Sequence, residues 1–170
     1  MYEKGKRKMK KVFLSSMGLL TGGIIGALAG SVLTQIAIRD AEDSAKKASD
    51  NNRALFALMT HWTRIKQKGK TLVEYFEKNN YKTIAVYGMS TVGQTLLEEL
   101  KESQISVLYG IDKNIEIDAD IEIVCPTQNL KPVDAVVVTA ISYFDEVAEL
   151  LEEKVDCPIL SIEDILYEVE

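Results

Sequence analysis

Short apolar runs alternate with amphipathic segments from residue 81 to the end of the chain. The runs are rich in β-branched residues, as expected of strands covered on both faces in a parallel sheet. Two connecting segments, 91–101 and 144–151, repeat apolar residues at helical spacing, with Glu98, Glu99 and Lys101 expected on the solvent side of the first. The predicted strands are Thr83–Tyr87, Ile105–Ile111, Ile121–Cys125, Asp134–Ala140 and Pro158–Ile162.

This alternation predicts an α/β fold with a parallel five-stranded sheet. Right-handed crossovers then give the strand order 3-2-1-4-5. The order in which successive strands are added to the sheet reverses between strands one and four, so a ligand crevice is expected there, beside Gly88 and Thr139. The hydroxyl of Thr139 can line such a crevice, or it can cap the helix that follows.

The first strand leads directly into a glycine turn and the start of a helix. Positions 88–93 are Gly-Met-Ser-Thr-Val-Gly, close to the G-x-G-x-x-G pattern by which Rossmann-type domains hold a pyrophosphate at a helix N-terminus. Ser90 replaces the middle glycine, which narrows the approach of a phosphate but offers a hydroxyl donor. Asp112 ends the second strand about twenty residues later, where the ribose-binding acid is expected, and Lys113 beside it would tolerate a 2′-phosphate.

The sequence therefore predicts NAD(P) or a nucleotide sugar as the ligand. An empty corner on a scaffold that binds no ligand remains the alternative reading. The candidate cofactor-binding residues are Gly88, Met89, Ser90, Thr91, Val92, Gly93, Asp112, Lys113 and Thr139.

An uncharged stretch near the N-terminus predicts a membrane anchor. Residues 1–11 are strongly basic, and residues 12–38 carry no charge over about 40 Å of helix, enough to span a bilayer. Gly18, Gly22, Gly26 and Gly30 recur at every fourth position, a small-residue face that predicts a homodimer of spanning helices. A cleavable secretory signal ending near residues 27–29 is the alternative.

Charge and cysteine content bear on partners and compartment. The net charge of −6 argues against nucleic acid as the main partner. Cys125 and Cys157 fall on opposite edge strands of the predicted sheet, too far apart to pair, which suits a reducing compartment. The basic N-terminus favours an external domain, whereas a nucleotide-binding fold with free thiols is typical of the cytoplasm. We predict a single-pass protein of the cell membrane with a cytoplasmic domain.

Residues 39–80 are predicted to be connecting helices before a domain at 81–170. Leu55, Leu58, Met59, Trp62 and Ile65 form an apolar stripe at helical spacing. The stripe can pair with a second chain or fold onto the domain, and the pattern does not decide between them.

The sequence contains no recognisable catalytic set. It has no P-loop and no G-x-S-x-G elbow. The spacing Tyr-x-x-x-Lys occurs only at Tyr2/Lys6 and Tyr109/Lys113, neither of them on a helix beyond strand four, where a short-chain dehydrogenase or epimerase needs it. His61 is the only histidine and has no nearby acid or cysteine at ligand spacing, so neither a catalytic residue nor a metal ligand is assigned.

The segment from about residue 55 to 170 resembles small Rossmann-like NAD(P)- or CoA-binding-type domains of bacterial surface-polysaccharide proteins, described as nucleoside-diphosphate-sugar epimerase-like. The likeness is carried by YFEKNNYKTIAVYGMSTVG, YGIDKN, DAVVVTAISYFDEV and CPILSIEDIL. It implies a nucleotide-binding accessory or regulatory module in cell-envelope polysaccharide synthesis, partnered with a glycosyltransferase or another synthesis protein. The alternatives are an interaction scaffold without a ligand and an oxidoreductase or epimerase-like enzyme completed by a partner.

Overall fold

The computed structural model describes residues 38–170. The chain divides into two compact units, Met1–Asp50 and Asn51–Glu170. In the first unit the described residues, 38–50, are helical and exposed. No helix within residues 38–170 is both long and apolar enough to cross a membrane. The predicted anchor at 12–38, its glycine face and the alternative signal sequence lie outside the described residues, apart from Ile38.

The second unit is a three-layer α/β domain. Helical residues 51–67, here called α1, begin the unit. The elements that follow are α2 (Val73–Lys78), β1 (Thr83–Tyr87), α3 (Thr91–Leu100), β2 (Ser106–Ile111), β3 (Ile123–Val124), β4 (Ala135–Val138), a 3₁₀ turn (Ile141–Tyr143), α4 (Phe144–Glu152), β5 (Ile159–Ser161) and α5 (Ile162–Val169).

The sheet confirms the predicted topology. Its five strands lie in the order β3-β2-β1-β4-β5, and every neighbouring pair is parallel. β1 is central, with Ile84 opposite Val107 on one side and Ala135 on the other. Cys125 and Cys157 follow β3 and precede β5 at opposite edges, and both are free thiols.

Four of the strands are shorter than predicted, although residues just beyond their ends still form backbone hydrogen bonds across the sheet. The Asp134 carboxylate accepts hydrogen bonds from the backbone N–H groups of Lys82 (2.8 Å) and Thr83 (2.7 Å), so it caps the start of β1, and its own backbone N–H donates to Thr83 O at 2.8 Å. β3 pairs only where Ile123 and Val124 meet Gly110 and Ile111.

The two faces of the sheet are covered unequally. On one, which we call the four-helix face, side chains of α1, α2, α3 and α5 pack against Ile84 and Val86 of β1. On the other, the one-helix face, α4 packs through Val147 and Leu151 against a smaller cluster that includes Ala85 and Tyr87. Alternate residues of β1 therefore point into two separate cores.

The apolar stripe of α1 belongs to the four-helix face. Leu58, Trp62 and Ile65 are buried there, so of the two alternatives the structure shows packing within the chain. The Glu99 carboxylate of α3 accepts hydrogen bonds from the Trp62 indole N–H (2.6 Å) and the Leu72 amide (2.9 Å). The expectation that Glu99 faces solvent was wrong, because its side chain is only 7% exposed and joins α1 to α3.

Candidate functional site

The glycine corner between β1 and α3 is tightly closed, and two of its residues must be glycine. Gly88 has a φ of +91°, and a Cβ there would lie 2.9 Å from the Thr139 hydroxyl oxygen. A Cβ on Gly93 would lie 2.2 Å from the backbone oxygen of Gly88, which is too close for any side chain. The first and last positions of the fingerprint therefore serve the sharp turn and the close helix contact.

Thr139 fixes this corner from the end of the neighbouring strand. It is 4% exposed, and its hydroxyl donates towards the backbone oxygens of Tyr87 (3.0 Å) and Gly88. Its backbone N–H donates to Tyr87 O at 2.9 Å. The hydroxyl is thus engaged with the turn, and neither lines the crevice directly nor caps the next helix.

The Asp112 carboxylate holds the opposite side of the corner. It lies at the end of β2 and is half-buried. One carboxylate oxygen accepts the Met89 N–H at 2.8 Å, and the other accepts the Asn114 N–H at 2.9 Å. The Met89 N–H, which a phosphate could have used, is therefore already bonded. Each oxygen of the Asp112 carboxylate still has a second lone pair that can accept a hydrogen bond.

Met89 and Ser90 point in different directions. The Met89 side chain is fully buried, and a Cβ on Gly110 would lie 2.7 Å from its Cγ. It therefore packs beneath the corner against β2, leaving the crevice open. Ser90 is exposed and precedes α3, and its side chain makes no capping hydrogen bond. Thr91 is exposed, whereas Val92 and Gly93 are buried within the helix contact.

A cavity of about 600 Å³ opens beside this corner on the one-helix face. It lies at the carboxyl ends of β1, β2 and β3, between the β3–β4 loop and α4, which is where open α/β sheets bind ligands. Its lining is mostly apolar, with a few polar groups. The lining residues are Tyr87, Gly88, Ser90, Asp112, Lys113, Cys125, Pro126, Thr127, Ala140, Tyr143, Glu146, Val147 and Leu150.

Two ionisable side chains that line the cavity have pKa values shifted in opposite directions. Burial, followed by the negative charge of Asp112, raises the pKa of Tyr87, so the phenol stays protonated at neutral pH. A hydrogen bond from Thr127, whose hydroxyl lies 3.1 Å from Cys125 Sγ, is the main cause that lowers the pKa of the Cys125 thiol.

The cavity brings together four of the predicted site residues, Gly88, Ser90, Asp112 and Lys113. Met89, Thr91, Val92, Gly93 and Thr139 do not line it. Sequence reasoning missed Tyr87, the segment Cys125–Thr127 and the α4 residues. A usable signal existed for the first two, because Tyr87 and Cys125 follow the same rule as Asp112: each stands at the carboxyl end of a parallel strand.

A second cavity of about 460 Å³ lies at the opposite end of β2, lined in part by Glu98, Lys101 and Asp120. Its charged groups pair with one another, since Lys101 Nζ lies 3.1 Å from Asp120 and 3.6 Å from Glu98. It is smaller and lies away from the carboxyl edge of the sheet, so the cavity beside the glycine corner is the better ligand site.

Comparisons of the chain with protein-family models, curated proteins and solved structures find no significant match. The resemblance to polysaccharide-associated Rossmann-like domains thus stays a prediction. Within residues 38–170, no cluster of histidine, cysteine and acidic side chains has the arrangement of a metal site.

Proposed function

We propose that this chain is a membrane-anchored module that binds a nucleotide, either NAD(P) or a nucleotide sugar. The observation that carries the proposal is the cavity of about 600 Å³ beside the glycine corner. Its volume falls within the range of roughly 300–1,000 Å³ that is usual for small-molecule sites. The proposal concerns binding and assigns no reaction to the module.

The chemistry of the cavity suits the two halves of a nucleotide. Pro126, Val147 and Leu150 supply apolar surface of the kind that contacts a flat heterocycle. Ser90 and Lys113 are exposed lining residues with a hydroxyl and a positive charge, which suit phosphate oxygens. The free N–H groups of the first turn of α3 add a positive dipole end near Ser90.

One observation favours the alternative of a scaffold without a ligand. The Asp112 carboxylate already holds the Met89 amide, as a bound anion would otherwise do. A scaffold would use this bond to keep the corner closed. In the binding proposal the same bond orders the corner in advance, and the remaining lone pairs of Asp112 accept ribose hydroxyls.

The anchor and the biological setting rest on the sequence. The uncharged stretch at 12–38 supports a single membrane span with a small-residue face for dimerisation. The resemblance to surface-polysaccharide proteins supports an accessory or regulatory role in that synthesis, beside a glycosyltransferase, with the domain in the cytoplasm.

A thermal-shift experiment on the full chain in detergent tests the binding proposal. At a hundred times its Kd, a ligand adds about 2.7 kcal/mol of stability. For a domain of this size that raises Tm by about 5–10 °C. The probes are NAD, NADP, UDP-glucose and coenzyme A. If none of them raises Tm, the scaffold is favoured and the binding proposal is wrong.

A pair of matched variants localises any shift. Leu150 and Leu108 are both 41% exposed, but only Leu150 lines the cavity. Leu150→Glu should abolish the shift given by the binding probe, because it places a charge against the apolar wall. Leu108→Glu should leave the shift unchanged. Equal effects of the two variants would mean that the probe binds elsewhere.

A further inference from the structure

The hydroxyl of Tyr87 is the polar end of a largely buried side chain. Tyr87 is 8% exposed, and no hydrogen bond of its hydroxyl occurs among the described residues. Tyr109, on the same face of the sheet, is 1% exposed, and its hydroxyl donates to Lys131 O at 2.6 Å. Both rings lie in the same core cluster, but within residues 38–170 only the Tyr109 hydroxyl has a hydrogen-bond partner.

The unpartnered hydroxyl opens into the cavity beside the glycine corner. Within residues 38–170, every fully enclosed side-chain nitrogen or oxygen has a hydrogen-bond partner. The Tyr87 hydroxyl is therefore not fully enclosed, and the open space that this residue lines is the cavity. A hydroxyl that faces this cavity and has no partner from the described residues can bond to a group that enters from outside the chain, in place of water.

The surroundings of this hydroxyl restrict the group that can meet it. Burial and the charge of Asp112 raise the pKa of Tyr87, so the phenol keeps its proton and acts as a hydrogen-bond donor. The same charge disfavours a phosphate at this depth, because two negative groups would then lie together. A neutral acceptor, such as a carbonyl oxygen or a ring nitrogen, fits both conditions.

We propose that Tyr87 selects the ligand by donating its phenolic hydrogen to a neutral acceptor on the heterocyclic base. The base then lies inward against Val147 and Leu150, and the phosphates remain at the mouth near Ser90 and Lys113. This inference rests on the proposed function and deepens it, because it fixes which end of the nucleotide enters the cavity and which residue recognises it.

Isothermal titration of the full chain with NAD, with NADP and with UDP-glucose tests the inference, using Tyr87→Phe. Removing one neutral donor should weaken binding of whichever probe binds by about three- to tenfold. Tyr167→Phe is the matched control, because Tyr167 is 62% exposed on α5 and does not line the cavity. Its affinity should equal that of the unmodified chain. Equal affinities of Tyr87→Phe and the unmodified chain would overturn the inference and leave the proposed function standing.

The thermal stability of the ligand-free variants provides a readout independent of binding. Tyr87→Phe should keep or raise Tm, because no hydrogen bond within the chain is lost. Tyr109→Phe should lower Tm, because the bond to Lys131 O is lost. If Tyr87→Phe lowers Tm as much as Tyr109→Phe, its hydroxyl has a partner within the fold and the inference is wrong. If none of the three probes binds the unmodified chain, the proposed function fails and the inference fails with it.

Discussion

The two faces of the sheet differ in how completely helices cover them, although the same strands contribute to both. The four-helix face buries the side chains of α1, α2, α3 and α5 in one continuous cluster, and Trp62, Ile65, Phe76 and Leu96 are almost fully enclosed. The one-helix face buries a smaller cluster beneath α4 and leaves a cavity beside it. Since hydrophobic stabilisation grows with the apolar area removed from water, most of it lies on the four-helix face.

This difference explains how the domain can keep a cavity of ligand size. A cavity forfeits packing contacts, so it is tolerated only where the stability of the domain is secured elsewhere. The separation begins in β1, where Ile84 and Val86 point to one core while Ala85 and Tyr87 point to the other. Substitutions on the two faces should therefore differ in kind, with loss of stability on one and loss of binding near the cavity on the other.

The largest expected effect is on the four-helix face. Trp62→Ala should lower the free energy of unfolding by about 3–5 kcal/mol, because it removes a buried aromatic ring and its bond to Glu99. Phe56 is on the same helix but is 75% exposed, so Phe56→Ala should change stability by less than about 0.5 kcal/mol. Urea unfolding followed by circular dichroism measures both. Equal losses would mean that α1 contributes through helix formation rather than through the core.

The second prediction divides the one-helix face into a structural part and a cavity part. Leu151 is fully buried and Leu150 is 41% exposed at the cavity, although they are neighbours on α4. Leu151→Ala should lower the free energy of unfolding by about 2–5 kcal/mol. Leu150→Ala should lower it by less than about 1 kcal/mol, since little buried surface is lost. The same urea unfolding experiment measures both variants. If both lose a similar free energy of unfolding, Leu150 belongs to the core as Leu151 does.

The fold could be predicted from the sequence because its signals are local. Each β-branched run and each amphipathic helix can be recognised from its own residues. The right-handedness of the crossovers then limits how the strands can be ordered in the sheet. The place of α1 could not be predicted in this way. The stripe of Leu58, Trp62 and Ile65 indicates that one face is buried, but not what covers it. Glu99 looked solvent-facing because its role depends on Trp62 and Leu72, which are distant in sequence.

Of the nine residues predicted for the candidate site, four line the cavity beside the glycine corner and five do not. Asp112 and Thr139 follow the ends of β2 and β4, but only Asp112 lines the cavity. Whether their polar atoms are free for a ligand depends on distances to Met89 and Gly88, which a pattern does not contain. Tyr87 looked like one more strand residue, because burial of its ring gives no sign of whether its hydroxyl has a partner.

The smallest expected effect compares the two cysteines. Hydrogen bonding from Thr127, with a contribution from the charge of Lys154, lowers the pKa of Cys125 from its ordinary value of 9.0, whereas burial raises that of Cys157. The thiolate is the reactive form, so alkylation accelerates as pH rises through each pKa. With an uncharged alkylating reagent, the rate should reach half its maximum below pH 9.0 for Cys125 and above pH 9.0 for Cys157.

Single variants separate the two profiles and connect them to the cavity. Cys157→Ser leaves only Cys125 to react, and Cys125→Ser leaves only Cys157. Adding Thr127→Val to Cys157→Ser should raise the midpoint of Cys125 towards 9.0, because the main cause of its lowered pKa is removed. Cys125 lines the cavity and Cys157 does not, so a saturating probe should slow only the alkylation of Cys125. If both thiols are alkylated with the same pH midpoint, or if the probe protects both equally, then the cavity does not control the reactivity of Cys125.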